Sequence, residues 1–392
     1  MGKYVNRKQP RGVGGFRIEP KIGVFATFMR THVKVTSMDE LKKTENFRFR
    51  ILDASVNRAS EGLRVVEDFA RMGLNDAFLS GQLKQLRHDL KVATDPINSV
   101  FRLQARDSEL DVGRSQGTVA EYKRVNTSDL IRSNMARVQQ ALRTIEEYSK
   151  SFLDEVVPQA EQLRYRAYSL EKAIVSCSFN QQRLEGVHLY VLIDGCDGDW
   201  DKLARLCGSI AHAGAGLIQL RDKSLDDRQL VTAGKAIADA IRDSKCRWIM
   251  NDRADLAVAA GADGVHLGQE DMTVHAGRQI LGPGKIIGVS THDIEQARQA
   301  VIDGADYIGI GPTFPSNTKS FDNFPGLEFV QAIVKEISLP AFAIGGIDLQ
   351  NVNAVVACGC QRVAVASAVT CSDDPAQAVA DLMQPLQNSE ES

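Results

Sequence analysis

Gln219-Leu-Arg221-Asp-Lys223 places an amide, a guanidinium and an ammonium at every second position at the end of a short apolar run. In a strand that alternation puts all three on one face. A planar fork beside a point ammonium suits a diphosphate, although such a polar strand end also occurs with no ligand. Asn251-Asp252-Arg253 and His266-Leu-Gly-Gln-Glu-Asp271 close two further apolar runs and bring one carboxylate each. Mg2+ takes one or two carboxylates together with phosphate oxygens and water, so Asp252 and Asp271 at a common rim would suit it. The competing reading is that both merely cap the helices that follow, and it is strongest for Asp271, which precedes Met272-Thr273-Val274. His266 lies along its run and reads as a packed or supporting histidine rather than a base.

Ser290 ends another apolar run, and Gly311-Pro-Thr-Phe-Pro-Ser316-Asn-Thr318-Lys319 is a hydroxyl-rich stretch with one cation. It reads equally as an oxyanion grip or as a solvated loop. Ala343-Ile-Gly345-Gly346-Ile347 and Ala364-Val-Ala366-Ser367-Ala368 supply small residues where backbone N–H groups could hold a phosphate. One anion site with cations and carboxylates, and a second built from backbone, imply a transferase joining a diphosphate-activated donor to a phosphorylated acceptor.

These residues need a scaffold that brings strand ends together. From Val187 to Leu386, eight short β-branched runs alternate with helical stretches: 187–193, 217–221, 247–251, 264–268, 286–290, 307–311, 341–345 and 362–367. That pattern predicts an α/β fold, a (β/α)8 TIM barrel, with its site at the C-terminal ends of the strands and a phosphate pocket after strands seven and eight. Residues 48–180 read as an all-helical domain instead, with apolar positions at steps of three and four. An internal repeat lies there: Arg58, Leu63, Arg64 and Glu67 recur as Arg137, Leu142, Arg143 and Glu146, and Gln85-Leu-Arg87 recurs as Gln162-Leu-Arg164. Two copies of a helix pair predict a four-helix unit with approximate two-fold symmetry. Residues 1–47 are basic and glycine-interrupted and read as a disordered leader; 387–392 read as a tail.

The chain has 392 residues, 43% hydrophobic, with a formal net charge of −3. Nothing in that balance points to nucleic acid. There is no apolar run long enough for a membrane span, and the expectation is a cytoplasmic enzyme of small-molecule substrates, forming a homo-oligomer. Seven scattered cysteines make no zinc pattern, and Cys358 and Cys360 read as small core residues.

Gln219–Lys223, Asn251–Arg253, His266–Asp271, Gly288–Ser290, the Gly311–Lys319 loop and Ala343–Ile347 together resemble thiamine-phosphate synthase, in order and across the whole C-terminal half. Ser316 is a mild departure, standing where the family usually has Thr. The resemblance implies that Gln219, Arg221, Lys223, Asn251, Ser290 and Lys319 hold hydroxymethylpyrimidine diphosphate, with Arg221, Lys223 and Lys319 catalytic. It implies Mg2+ on Asp252 and Asp271, and thiazole phosphate on Ser316, Thr318, Gly346, Ala366 and Ser367. The family reaction joins the pyrimidine to the thiazole nitrogen and expels pyrophosphate. A cation-like dissociative path needs no general base, so His266 and His292 stay outside the site.

Asp53-Ala-Ser-Val-Asn57-Arg58, Glu61–Arg64, Glu67-Asp68, Leu86-Arg87-His88, Arg106–Gly113 and Arg164-Tyr165 resemble the all-helical hydroxymethylpyrimidine phosphate kinase domain found fused to this synthase. That resemblance implies ATP and Mg2+ use. The kinase candidates are Asp53, Asn57, Arg58, Arg64, Glu67, Arg87, Arg106, Asp107 and Asp111. No G-x-x-x-x-G-K-S/T loop is present, so this is no P-loop kinase. Arginines with acids in paired helices are also what interhelical salt bridges look like, and a purely structural or dimerising helical domain stays open. For the barrel the alternatives are a thiazole tautomerase, which would not need the diphosphate residues, and a non-catalytic barrel, in which broken rim motifs are expected.

Overall fold

A computed structural model describes residues 38–107, 109, 111, 123–315 and 325–387. By contact the chain divides between Phe47 and Arg48, and the helical half and the barrel both belong to the larger unit, Arg48–Ser392. The first helix, α1, runs Met38–Met72. It thus begins ten residues inside the segment expected as leader, where Leu41, Lys42, Lys43 and Glu45 are good helix formers.

Helices α2 (Ala77–Thr94), α3 (Ser99–Ala105), α4 (Thr127–Ser149) and α5 (Val156–Arg183) complete the helical half. The repeat is visible in the packing. Leu63, Val66 and Ala70 of α1 are buried, and so are their counterparts Leu142, Ile145 and Ser149 of α4. A Cβ on Gly62 would lie 2.8 Å from Val138 Cγ2 and 3.0 Å from the Asn134 carbonyl oxygen, so α1 and α4 cross in close contact there.

The eight strands are β1 (Leu189–Ile193), β2 (Leu217–Leu220), β3 (Arg247–Asn251), β4 (Gly264–Leu267), β5 (Ile286–Thr291), β6 (Tyr307–Ile310), β7 (Ala341–Ile344) and β8 (Val363–Val365). They pair in sequence order, all parallel, and β8 closes on β1. Around them lie α6 (Trp200–His212), α7 (Asp227–Ala240), α8 (Ala254–Ala260), α9 (Val274–Leu281), α10 (Ile294–Asp303), α11 (Gly326–Glu336), α12 (Val352–Ala357), α13 (Ser367–Thr370) and α14 (Pro375–Gln387). The expected barrel is therefore present, with every strand within two residues of its expected bounds.

Inward side chains fill the barrel axis: Tyr190, Leu217, Ile249, Ile286, Tyr307, Phe342 and Ala364 form one buried cluster, and Leu184, fully buried, joins it. Leu184 follows directly on α5, so the last long helix of the helical half delivers a plug to the floor of the barrel. Its carbonyl and that of Arg183 accept hydrogen bonds from Arg362 and Arg247 at 3.5 and 3.1 Å. Cations on the last carbonyls suit the negative end of a helix. Two further buried contacts fix the halves together. Asp76, the N-cap of α2, accepts from Leu79 N at 2.6 Å and from Ser338 N and Oγ at 2.8 and 2.9 Å. Asn180 donates to Asp306 Oδ1 at 2.8 Å, while the other oxygen of Asp306 accepts from Arg278 and the Ile287 amide. Both anchors lie just before strands, on the face opposite the C-terminal rim.

Candidate active site

At the C-terminal rim, strand alternation turns Gln219 of β2, Asn251 of β3, His266 of β4 and Ser290 of β5 toward the axis. Arg221 follows Gln219 on the same parity, half-buried, and its backbone amide donates to Ile193 O at 2.8 Å. Asp222 stays in the loop, accepting from the Gly195 amide and from the amide and hydroxyl of Ser224, which leaves Arg221 and exposed Lys223 on its two sides.

Asp252 is held in a conformation its residue type rarely adopts. Its φ is +61°, and Arg253 N donates to Asn251 O at 2.7 Å across it. An i→i+2 bond about a central residue of that φ is the rare, strained form of γ-turn. The Asp252 amide itself donates to His266 O at 2.8 Å, tying the turn to β4. Strain of this kind persists where surrounding structure over-determines it, commonly at functional sites.

The Asp252 carboxyl sits above its ordinary 3.8, chiefly through burial, then through a hydrogen bond to and like charge on Asp271; Lys223 and Asn251 pull the other way. So Asp252, Asp271, Lys223 and Asn251 converge. Neither carboxylate is a helix cap. The N-cap of α9 is Thr273, whose hydroxyl accepts from Ala276 N at 3.2 Å, and the side chain at the α8 N-cap position, Arg253, makes no capping bond. Asp271 instead accepts from Gly268 N at 2.6 Å within its own loop. Two facing carboxylates, one of them burdened by the other, suit a divalent cation that keeps its remaining positions for phosphate oxygens and water. Among the described residues there is no group of three or more His, Cys, Asp or Glu that could hold a metal.

After β7, Gly345 and Gly346 both have positive φ, +104° and +62°. A Cβ on Gly346 would meet the Pro315 and Phe314 carbonyl oxygens at 2.5 and 2.9 Å, so the turn closes against the chain leaving β6. After β8, Ala366 and Ser367 are exposed at the start of α13. Ser316, Thr318 and Lys319 lie outside the described residues.

His266 is buried, and burial pushes its imidazole down to about 4, so it is neutral. That agrees with its reading as a supporting residue. Sequence reasoning missed Tyr190 and Tyr307, whose hydroxyls meet at 2.8 Å in the barrel interior. Their parity with Gln219 and Ser290 was the available signal. Cys360 is buried and Cys358 half-buried, as small core residues.

The kinase candidates of the helical half separate into two groups. Asp53 is buried and accepts from Arg106 Nε at 2.7 Å and Asn57 Nδ2 at 3.4 Å; Arg50 donates to the Asp107 carbonyl at 2.7 Å. Exposed Arg58 neighbours this group in sequence, and Asp111 is exposed. Glu67 instead accepts from Arg64 at 3.3 Å and Arg87 at 2.9 Å. Its repeat counterpart Glu146 accepts from Arg143 at 2.5 Å and Arg164 at 3.1 Å. Fourteen residues of helix separate Asp53 from Glu67, about 21 Å at the helical rise, so the two groups do not form one centre.

Charged groups and tight turns are thus gathered at the C-terminal end of a closed parallel barrel, where the active sites of (β/α)8 enzymes lie. Residues 189–369 match the family model described as thiamine monophosphate synthase, and residues 50–173 match the ThiD2 family. Thiamine-phosphate synthase of Rhodopirellula baltica is 45% identical over 333 residues, covering 83% of this chain and 88% of that protein. Thiamine-phosphate synthase of Synechocystis is 39% identical over 337 residues, covering 86% and 96%. The chain belongs to the thiamine-phosphate synthase family. An alignment of 333 residues is longer than either half, so these relatives share both. Among solved structures, thiamine phosphate pyrophosphorylase from Pyrococcus furiosus aligns with a TM-score of 0.47 and 32% identity, over 52% of this chain and 97% of that one.

Proposed function

We propose that the barrel joins hydroxymethylpyrimidine diphosphate to thiazole phosphate with release of pyrophosphate, and that the helical half makes the diphosphate from hydroxymethylpyrimidine phosphate and ATP. The observation that carries the first part is the facing pair Asp252 and Asp271, neither of them a helix cap, with the charge of Lys223 near enough to pull the Asp252 carboxyl down. In this reading Gln219, Asn251 and Ser290 hold the pyrimidine diphosphate from the axis, with Arg221, Lys223 and Lys319 on its phosphates. Asp252 and Asp271 hold Mg2+, which when bound neutralises diphosphate charge. As the carbon–oxygen bond to the diphosphate lengthens, negative charge grows on the leaving group, and the three cations stabilise that state more than the bound substrate. Gly346, Ala366 and Ser367, with Ser316 and Thr318, hold the thiazole phosphate. A dissociative path needs no general base, and His266 is engaged on both ring nitrogens.

For the helical half, the site is assigned to Asp53, Asn57, Arg58, Arg106, Asp107 and Asp111; phosphoryl transfer needs such clamps and acids. Among the described residues no helix is long and apolar enough to cross a membrane. The reading is completed by a cytoplasmic homo-oligomer of small-molecule substrates. The test supplies full-length protein with thiazole phosphate, Mg2+ and either donor. Thiamine phosphate from both the diphosphate and the monophosphate with ATP is expected. Product from the diphosphate alone would reduce the helical half to a structural module, a reading that the paired Arg–Glu–Arg groups favour for Arg64, Glu67 and Arg87.

A further inference from the structure

A continuous line of hydrogen bonds crosses the barrel interior beneath the rim. Gln219 Nε2 donates to the Tyr190 hydroxyl. Tyr190 and Tyr307 hydroxyls are 2.8 Å apart, Tyr307 Oη lies 3.0 Å from His266 Nδ1, and His266 Nε2 lies 2.9 Å from Ser290 Oγ. The members come from β2, β1, β6, β4 and β5. Gln219, Tyr190, Tyr307 and His266 are all buried. Barrel layers are ordinarily filled by branched aliphatic side chains, so a polar line here is a departure. It is also built in: a Cβ on Gly288 would lie 2.0 Å from the Tyr307 ring, so only glycine on β5 lets that tyrosine cross. Phe342 packs edge-on against both tyrosines, at 5.4 Å each, which holds their rings and leaves the hydroxyls no other direction.

Donor and acceptor counting gives the line a direction. The Gln219 nitrogen can only donate, so Tyr190 accepts there and passes its own proton to Tyr307. Tyr307 in turn donates to His266 Nδ1. A neutral imidazole whose Nδ1 accepts carries its proton on Nε2 and donates it to Ser290 Oγ. Ser290 then has its own O–H left to point at the ligand.

We infer that Tyr190, Tyr307 and His266 are positioning residues that fix the Ser290 hydroxyl as a donor, and Gln219 as its distant reference, toward an anionic oxygen of the bound diphosphate. The inference rests on the proposal that Ser290 contacts that substrate. It makes the line a selector for ligands presenting an acceptor at Ser290. A ligand that presents only a donor there leaves the Ser290 O–H without an acceptor.

The test combines kinetics with 15N NMR of histidine-labelled holoenzyme. The chain has seven histidines, so the His266→Gln spectrum identifies the resonances. Wild type should show His266 protonated on Nε2, and Tyr307→Phe should shift it to a mixture of tautomers. Ser290→Ala should lower kcat roughly ten- to a hundredfold, the range for losing a hydrogen bond to a charged group. Tyr307→Phe should lower kcat by less, with KM for thiazole phosphate unchanged, and Ser290→Thr should restore activity. The double variant Tyr307→Phe with Ser290→Ala should be no slower than Ser290→Ala alone, because the tyrosine acts only through the serine. Additive losses, or wild-type His266 protonated on Nδ1, would overturn the relay, the second without recourse to any variant. Wild-type turnover in Ser290→Ala with His266 protonated on Nε2 would instead sink the site reading beneath it.

Discussion

Glu67 and Glu146 allow a structural role and a catalytic one to be told apart within a single chain. Each is 4% exposed and each bridges an arginine on its own helix to one on the paired helix. Removing one partner of a fully buried pair costs about 3–5 kcal/mol, because the other charge is stranded. Here the arginines reach water: Arg64 and Arg87 side chains are 50% and 32% exposed, Arg143 and Arg164 53% and 12%. Stranded arginines can rehydrate, so Glu67→Ala should cost only about 1–3 kcal/mol. Glu146→Ala should cost more, since Arg164 is the least able to rehydrate and lies 4.9 Å over the Tyr165 ring. Urea unfolding followed by far-ultraviolet circular dichroism measures both. ATP-dependent phosphorylation by the folded fraction should survive in both variants to a similar degree. Loss of phosphorylation in Glu67→Ala alone, at wild-type stability, would refute the structural reading and return Glu67 to the kinase site.

Asp252→Ala should abolish pyrophosphate release while tryptophan fluorescence, from the barrel residues Trp200 and Trp248, reports an intact fold; wild-type turnover would remove Asp252 from the site. Arg58→Ala and Asp107→Ala should cripple the step from the monophosphate and spare the step from the diphosphate; equal activity from both donors would clear these residues of a kinase role. Leu184→Ala should destabilise by about 2–5 kcal/mol through a cavity in the barrel floor, read as an earlier urea midpoint in Trp248 fluorescence, and an unchanged midpoint would deny the plug. Burial holds the Asp76 carboxyl above 3.8, so what this group contributes to stability is complete below that pH and is lost as pH rises through the raised value. Asp76→Asn removes that charge, so stability of the variant relative to wild type should improve from acid to neutral pH; a relative decline would contradict the assignment.

The barrel was legible because each strand is a short apolar run closed by polar residues, and strand parity alone placed Gln219, Asn251 and Ser290 on the axis. The repeat was equally legible: Arg64–Glu67–Arg87 and Arg143–Glu146–Arg164 are the same three residues in two copies. Other features depend on docking. Asp76 and Ser338 are 262 residues apart in sequence, and nothing local marks either as a partner. Whether Asp271 capped α9 could not be decided from sequence, because Asp271 and Thr273 are both capping types and the choice rests on where the helix starts. Tyr190 and Tyr307 read as ordinary aromatic core, since a hydroxyl in a barrel interior declares itself only once its partner across the axis is known.

How the two halves are joined constrains the route between their reactions. Among the described residues, the hydrogen bonds linking them fall at Asp303, Asp306 and Ser338, at Gly284, and at Arg247 and Arg362, all at or before the N-terminal ends of strands. The rim that carries Asp252, Asp271 and Gly346 is at the other end. Between them the axis is packed with Leu184, Leu217, Ile249, Ile286, Tyr307 and Phe342, which leaves no passage for a diphosphate. A diphosphate made by the helical half therefore has to pass around the outside of the barrel to reach the rim. With labelled monophosphate, ATP and thiazole phosphate, added unlabelled hydroxymethylpyrimidine diphosphate should dilute the label in thiamine phosphate in proportion to its share of the free pool. Product that keeps full label at high dilution would show transfer without release, along a path that the described residues do not cover.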